Sequence, residues 1–198
     1  RINAAGRIKH GNHAVSLLTE LDYNTAVDFA VDIDNYNTER KALDKQITKE
    51  ALEQIQVNKE EENYTTVVFD KDWHKGVIGI VASRLTETYY RPTLVFTQSG
   101  DKLAASARSV RGFDVYEALE KCSEHIEQFG GHKYAAGLTL DPKNYSSFKE
   151  KFESVVEQTI PRELLERQIQ IDSELFLSDI NSKFHRILMV TTLANGEK

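Results

Sequence analysis

Between Asn24 and Val57 the chain runs 34 residues without a glycine or a proline. Apolar residues recur through it at helical spacing: Ala26, Ala30 and Ile33 begin one stripe, and Leu43, Ile47, Ala51 and Ile55 continue it. Asn24 fits an N-cap. One helix of this length is roughly 50 Å long at ~1.5 Å per residue. That is too long for the core of a small domain, so the stretch reads as a strut between two domains. The polar NKEEEN at 58–63 ends it, and a shorter amphipathic helix (Ala14, Val15, Leu17, Leu18, Leu21) precedes it.

After Tyr64 the pattern changes. YTTVVFD (64–70) is β-branched and aromatic, as a strand is; WHKGVIG (73–79) is a glycine-containing turn; IVASRLTETYY (80–90) is helical. Arg91-Pro92 ends that helix, and TLVFTQ (93–98) and KLAASARSV (102–110) read as strands joined by Ser99-Gly100-Asp101. Strand–helix–strand predicts a βαβ unit, and the closely spaced last pair predicts a hairpin on the same sheet. Asp114–His125 reads as helix, GGHKYAAG (130–137) as a loop entering a short strand at 138–140, and Tyr145–Gln158 as helix up to Pro161. QIQIDSEL (168–175) alternates like one more strand. The expected class is α/β: a mixed β-sheet flanked by helices, preceded by a long connecting helix.

Composition narrows the function classes. The 198 residues carry a net charge of −6, with acids concentrated at 20–62 (twelve against five bases) and bases at 71–111 (seven against three acids). That is a local anion site on an acidic protein, or ordinary solvated helix faces. No apolar run approaches the ~20 residues of a bilayer span. The single Cys122 excludes an internal disulfide framework and a Cys-cluster zinc site, and agrees with a reducing compartment. The chain starts at Arg1 and its only Met is Met189, which reads as a segment of something longer. There is no HExxH, GxSxG or Walker string.

Four strings hold residues with chemistry. In GGHKYAAG, Gly130 and Gly131 let the backbone approach a ligand, and His132 can hydrogen-bond a phosphate oxygen or a base. Alone, the pair is equally a tight turn with a surface histidine. In SARS, Ser106 and Arg108 share one strand face, with Ser109 following. A guanidinium beside a hydroxyl suits a phosphate, though a sheet edge with a surface arginine reads the same way. WHKGVIG leads into a helix N-terminus, which favours anions; Trp73 either stacks on a base or fills the core, and His74 has no partner at metal-ligand spacing. RINAAGR places Arg1 and Arg7 in an acid-free terminus: an anion contact or a basic, frayed end.

In this order, RINAAGRI, the acidic helix, WHKGVIGIVASRL, SARSVRGFDVYEAL and QFGGHKYAAG resemble the bacterial RecJ single-strand-specific exonucleases, from Arg1 to about Pro161. The resemblance implies the end of a DHH phosphoesterase domain at 1–23, a connecting helix at 24–63, a DHH-associated nucleic-acid-binding domain at 64–161, and a linker with the start of an oligonucleotide-binding (OB) barrel at 162–198. It implies a cytoplasmic enzyme of repair and recombination that degrades single-stranded DNA from the 5′ end. Its Mn²⁺ or Mg²⁺ would be held by the DHH domain, so this segment would carry no catalytic residue and no metal ligand. The implied partners are single-stranded DNA and repair or single-strand-binding proteins, with no membrane. By motif, Arg1 and Arg7 would approach the DNA end. Ser106, Arg108, Ser109, Gly130, Gly131 and His132 would bind phosphates, with the Trp73–His74 turn alongside.

The tail departs from the family pattern, because ILMVTTLANGEK stands where a Gly/Pro-rich stretch is expected. Three other readings stay open. One is the accessory domain of a nanoRNA or cyclic-dinucleotide phosphodiesterase, whose glycine run before the His is longer. Another is a tRNA-related module of the alanyl-tRNA synthetase type, which the RINAAGR start and the strut oppose. The last is a structural interaction domain, supported only by the acidic helix.

Overall fold

The computed structural model describes residues 1–167, 169, 171 and 173–195. They divide into two units, 1–166 and 167 onward. The first opens with helices α1 (Ile2–Ile8), α2 (Asn12–Thr19) and α3 (Tyr23–Asn58). The expected long helix is α3, 36 residues and about 54 Å at ~1.5 Å per residue, and it lies in the same unit as the sheet. Its cap is Asp22, not Asn24: the carboxylate accepts from the Thr25 N–H at 2.9 Å and the Thr25 hydroxyl at 2.8 Å. At the other end Lys59 turns left-handed (φ 57°) and the Glu60 N–H reaches back to the Ile55 carbonyl at 3.0 Å, a Schellman stop.

A five-stranded sheet follows: β1 (Thr66–Phe69), β2 (Thr93–Ser99), β3 (Lys102–Arg108), β4 (Gln128–His132) and β5 (Ala135–Leu140). The spatial order is β1-β2-β3-β5-β4. Strands β1 and β2 are parallel, joined through helix α4 (Ile78–Tyr89), and the rest are antiparallel. Helices α5 (Val115–Glu120) and α6 (Tyr145–Thr159) complete the unit. The loop expected at 130–137 is therefore a hairpin: Gly130, Gly131 and His132 lie in β4, and Lys133-Tyr134 is its two-residue turn. Glycine is unfavourable inside a strand, so the sequence hid this one. The helix expected at 114–125 is only six residues of α5 followed by a 3₁₀ turn.

Alternation along the strands makes two cores. On one face Val67, Leu94, Phe96, Leu103, Leu138 and Leu140 pack with Phe148 and Phe152 of α6. On the other, Val68 and Val95 pack under α4, which is itself roofed by Ile47, Ala51 and Ile55 of α3. Helix α4 covers β1, β2 and β3, leaving that face of β5 and β4 bare.

Buried polar groups tie the strut to the sheet. Arg91, 3% exposed, donates to the Glu60, Glu61 and Asn63 carbonyls and the Thr66 hydroxyl, and burial lowers its pKa from the usual arginine value. The Gln54 amide exchanges two hydrogen bonds with Phe69, at 3.0 and 3.1 Å.

In the second unit, Asn181 caps helix α7 (Ser182–Asn195) by accepting from the Lys183 and Phe184 N–H groups. The strand expected at 168–175 lies partly outside the described residues, and the described residues there carry no strand, so no barrel strand is seen among them. No described helix is long and apolar enough to cross a membrane.

Two outcomes are expected. Arg91→Ala strands three carbonyls at the end of the strut and should cost about 3 kcal/mol in urea unfolding. The buried Cys122 thiol, pushed up to about 11 by desolvation, should resist thiol reagents at pH 8 in the folded protein and react fully once it is unfolded.

Candidate nucleic-acid interface

Residues directly opposite in an antiparallel ladder share a face. Ser106 stands opposite Gly137, which stands opposite Gly130; Arg108 stands opposite Ala135, which stands opposite His132. Ala136 and Leu138 point into the α6 core, so these six residues lie together on the opposite face, Ser106 and Arg108 against α4 and the other four beyond its cover. The SARS strand and the twin-glycine strand, about 22 residues apart in sequence, are two strands apart in one sheet.

The floor they make is nearly free of side chains. A trough of about 300 Å³ runs over it, lined by Lys75, Ala104, Gln128, Gly130, Gly137 and Thr139. Lys75 at its wall donates to the Ser99 hydroxyl at 3.1 Å. The two glycines of the pair differ in purpose. Gly131 has φ +151°, and a Cβ there would sit 2.4 Å from the Ala135 carbonyl oxygen, so the chain itself demands glycine. At Gly130 a Cβ would meet nothing within 4 Å, and at Gly137 only an ordinary contact at 3.7 Å. The fold requires neither, but a close-lying ligand backbone would.

Two residues along β3 from the Ser106–Gly137–Gly130 row stands Arg108, with Arg7 close enough to act on its charge. The Arg108 guanidinium donates to the Ser106 hydroxyl at 3.1 Å and the Ala107 carbonyl at 2.7 Å. It lies against Gly79 of α4, where a Cβ would be 3.1 Å from Nη2. Arg7 donates to the Gly76 carbonyl at 3.4 Å, and Gly76 packs so tightly on the Arg7 backbone that a Cβ would overlap its carbonyl. Burial, then the charge of Arg7, lowers the Arg108 pKa below the usual arginine value. Among the described residues neither arginine has a carboxylate partner. A half-buried cation in the field of a second one lacks an anion.

The other candidates lie elsewhere. Trp73 is 5% exposed in the α3–α4 core and its indole N–H donates to Glu50 at 2.8 Å, so it offers no stacking face. Ser109 donates its hydroxyl to the Phe113 carbonyl at 3.1 Å, closing the turn after β3. The His74 Nδ1 accepts the Gly76 N–H at 3.1 Å and shapes the turn before α4. Arg1 pairs with Asp34 on the strut at 3.4 Å. Gln128, Thr139 and the place of Gly137 in the floor escaped the sequence, because only the β5 register brings them to the trough. Among the described residues no three His, Cys, Asp or Glu side chains come together, so a metal ion finds no ligand set in them.

The stretch that carries this sheet, residues 61–158, matches the DHHA1 domain family. The chain belongs to the RecJ family. It is 36% identical over 165 residues to the single-stranded-DNA-specific exonuclease RecJ of Bacillus subtilis (strain 168), covering 82% of this chain and 21% of that protein. To its counterpart in Haemophilus influenzae it is 34% identical, covering 91% and 33%. The crystal structure of RecJ in complex with Mn²⁺ from Thermus thermophilus superimposes with a TM-score of 0.73 at 30% identity, covering 80% of this chain and 23% of that one. The structure of an exonuclease RecJ bound to manganese gives 0.72, with 81% and 39% covered. The chain thus spans about a fifth to a third of the length of the curated relatives named here.

The two glycines should separate by mutation. Gly131→Ala should destabilise by about 2 kcal/mol or more through the forced φ and the carbonyl contact. Gly130→Ala should leave thermal stability within about 1 kcal/mol while weakening oligonucleotide binding.

Proposed function

We propose that this chain forms the wall that holds single-stranded DNA in a single-strand-specific exonuclease. The observation that carries the reading is the pair Arg7 and Arg108, two guanidiniums without a carboxylate among the described residues, beside a trough floored by glycines that the fold does not need. A phosphate beside Arg108 would accept a charge-assisted bond from the guanidinium, with the Ser106 hydroxyl adjacent. The next phosphates would lie on the Gly137–Gly130 floor, where the backbone can come close. Such contacts fix position and carry no base information, which suits an enzyme that must accept every sequence.

In the whole protein, we infer, cleavage proceeds 5′→3′ on Mn²⁺ or Mg²⁺ held by a DHH domain. The choice of ions is supported by the similar RecJ structures, which hold Mn²⁺ or Mg²⁺. No hydrolytic step is assigned to these residues: their part is to bind the strand and orient it. The same reading makes the protein a cytoplasmic enzyme of DNA repair and recombination, working beside repair and single-strand-binding proteins.

The test is oligo(dT) binding by this chain across a salt series. Affinity should fall with salt, and Arg108→Ala should weaken it about tenfold, the size expected for a lost charge-assisted hydrogen bond. Equal affinity would remove Arg108 from the site. With Mn²⁺ a clean preparation of the chain should not digest the oligonucleotide; digestion would place the catalyst here.

A further inference from the structure

Of the five bases between residues 20 and 62, three fall within six residues: Arg40, Lys41 and Lys45. They line one groove between α3 and α4, of about 450 Å³, together with Asp44, Thr48 and Arg84. Four cations thus meet one carboxylate on a helix that is otherwise strongly acidic. Asp44 is buried and already saturated. Its oxygens accept a fork from Arg84, Nε at 2.7 Å and Nη2 at 2.8 Å, and a longer bond from Arg40 at 3.4 Å. The carboxylate therefore orients the two guanidiniums, and Arg84 Nη1 lies outside the fork. Half of the Arg84 side chain remains exposed. Lys41 and Lys45 have no ion-pair partner among the described residues. The Thr48 Oγ1 is buried and has no hydrogen-bond partner among the described residues. A tetrahedral oxyanion would supply what each group lacks: charge for the lysines, acceptors for Arg84 Nη1 and the Thr48 hydroxyl.

We propose that the α3–α4 groove is a phosphate site separate from the sheet trough. Glu87 also sits in the field of Arg84, and with it counted the groove stays net positive. The phosphate could belong to a nucleic-acid strand or to a free nucleotide, and the chemistry of the groove is the same for both. The site stands on its own geometry; only its assignment to a DNA strand rests on the function proposed above.

The test follows the Arg84 Nε–H and Thr48 amide resonances of this chain as inorganic phosphate, thymidine 5′-monophosphate or oligo(dT) is added at fixed ionic strength. Inorganic phosphate should shift both saturably, and Lys41→Ala/Lys45→Ala, two exposed changes, should weaken that response at least threefold while leaving the Arg108 resonance unaffected. Thr48→Val should weaken it too. If neither resonance moves, or the double variant responds like the parent, the site does not exist. If oligo(dT) also shifts Arg84, and the double variant flattens the log-affinity against log-salt slope by about 1.4, the phosphate belongs to a strand, at about 0.7 per contact. If the mononucleotide acts and oligo(dT) does not, the site holds free nucleotide. Should Arg108→Ala leave oligo(dT) binding intact while Arg84 still responds, the trough reading fails and this site stands.

Discussion

A slip of one residue in the ladder between β3 and β5 would turn Ser106 and Arg108 into the α6 core and put Ala107 on the opposite face. The register is held by burial. Leu103, Ala105 and Ala107 on β3 and Ala136, Leu138 and Leu140 on β5 all lie in the core built on Phe148 and Phe152, and a one-residue slip would turn one set out of it. The hydrophobic face thus fixes the polar one. Glycine opposite glycine beside the Ser–Arg pair is a consequence of packing on the far side of the sheet.

The second constraint is unequal coverage. Helix α4 is long enough to roof three strands and is held there from above by the strut. Gly76 and Gly79 permit the close approach, the first against α1 and the second against the arginine strand. What α4 does not reach becomes the trough. The same helix carries Arg84 to Asp44 of the strut, so one twelve-residue element contributes to both basic surfaces.

Much of this was legible in the chain. The strut announces itself by an unbroken helical period, and β1, β2 and β3 by β-branched runs between turn residues. The arginine and glycine strings were also visible. Their alignment was not, since it depends on which residue of β5 faces which residue of β3 and β4, and β4 itself is disguised by two glycines. Trp73 illustrates a different limit: sequence gives a large ring with one donor, but only packing decides whether Glu50 or a base meets it. Arg1 and Arg7 look alike on paper, yet a short helix carries one to Asp34 and the other to Gly76.

At the opposite end of the sheet, side chains do the work of a missing strand. The outward N–H groups of Thr65 and Phe69 are taken by Glu153 and Gln54, and the Phe69 carbonyl by the same Gln54 amide. This border is sealed against pairing with a foreign extended segment. Any lateral growth of the sheet, by a peptide or a neighbouring copy, is thereby directed to the β4 side, so the protein guards one flank and leaves the other accessible.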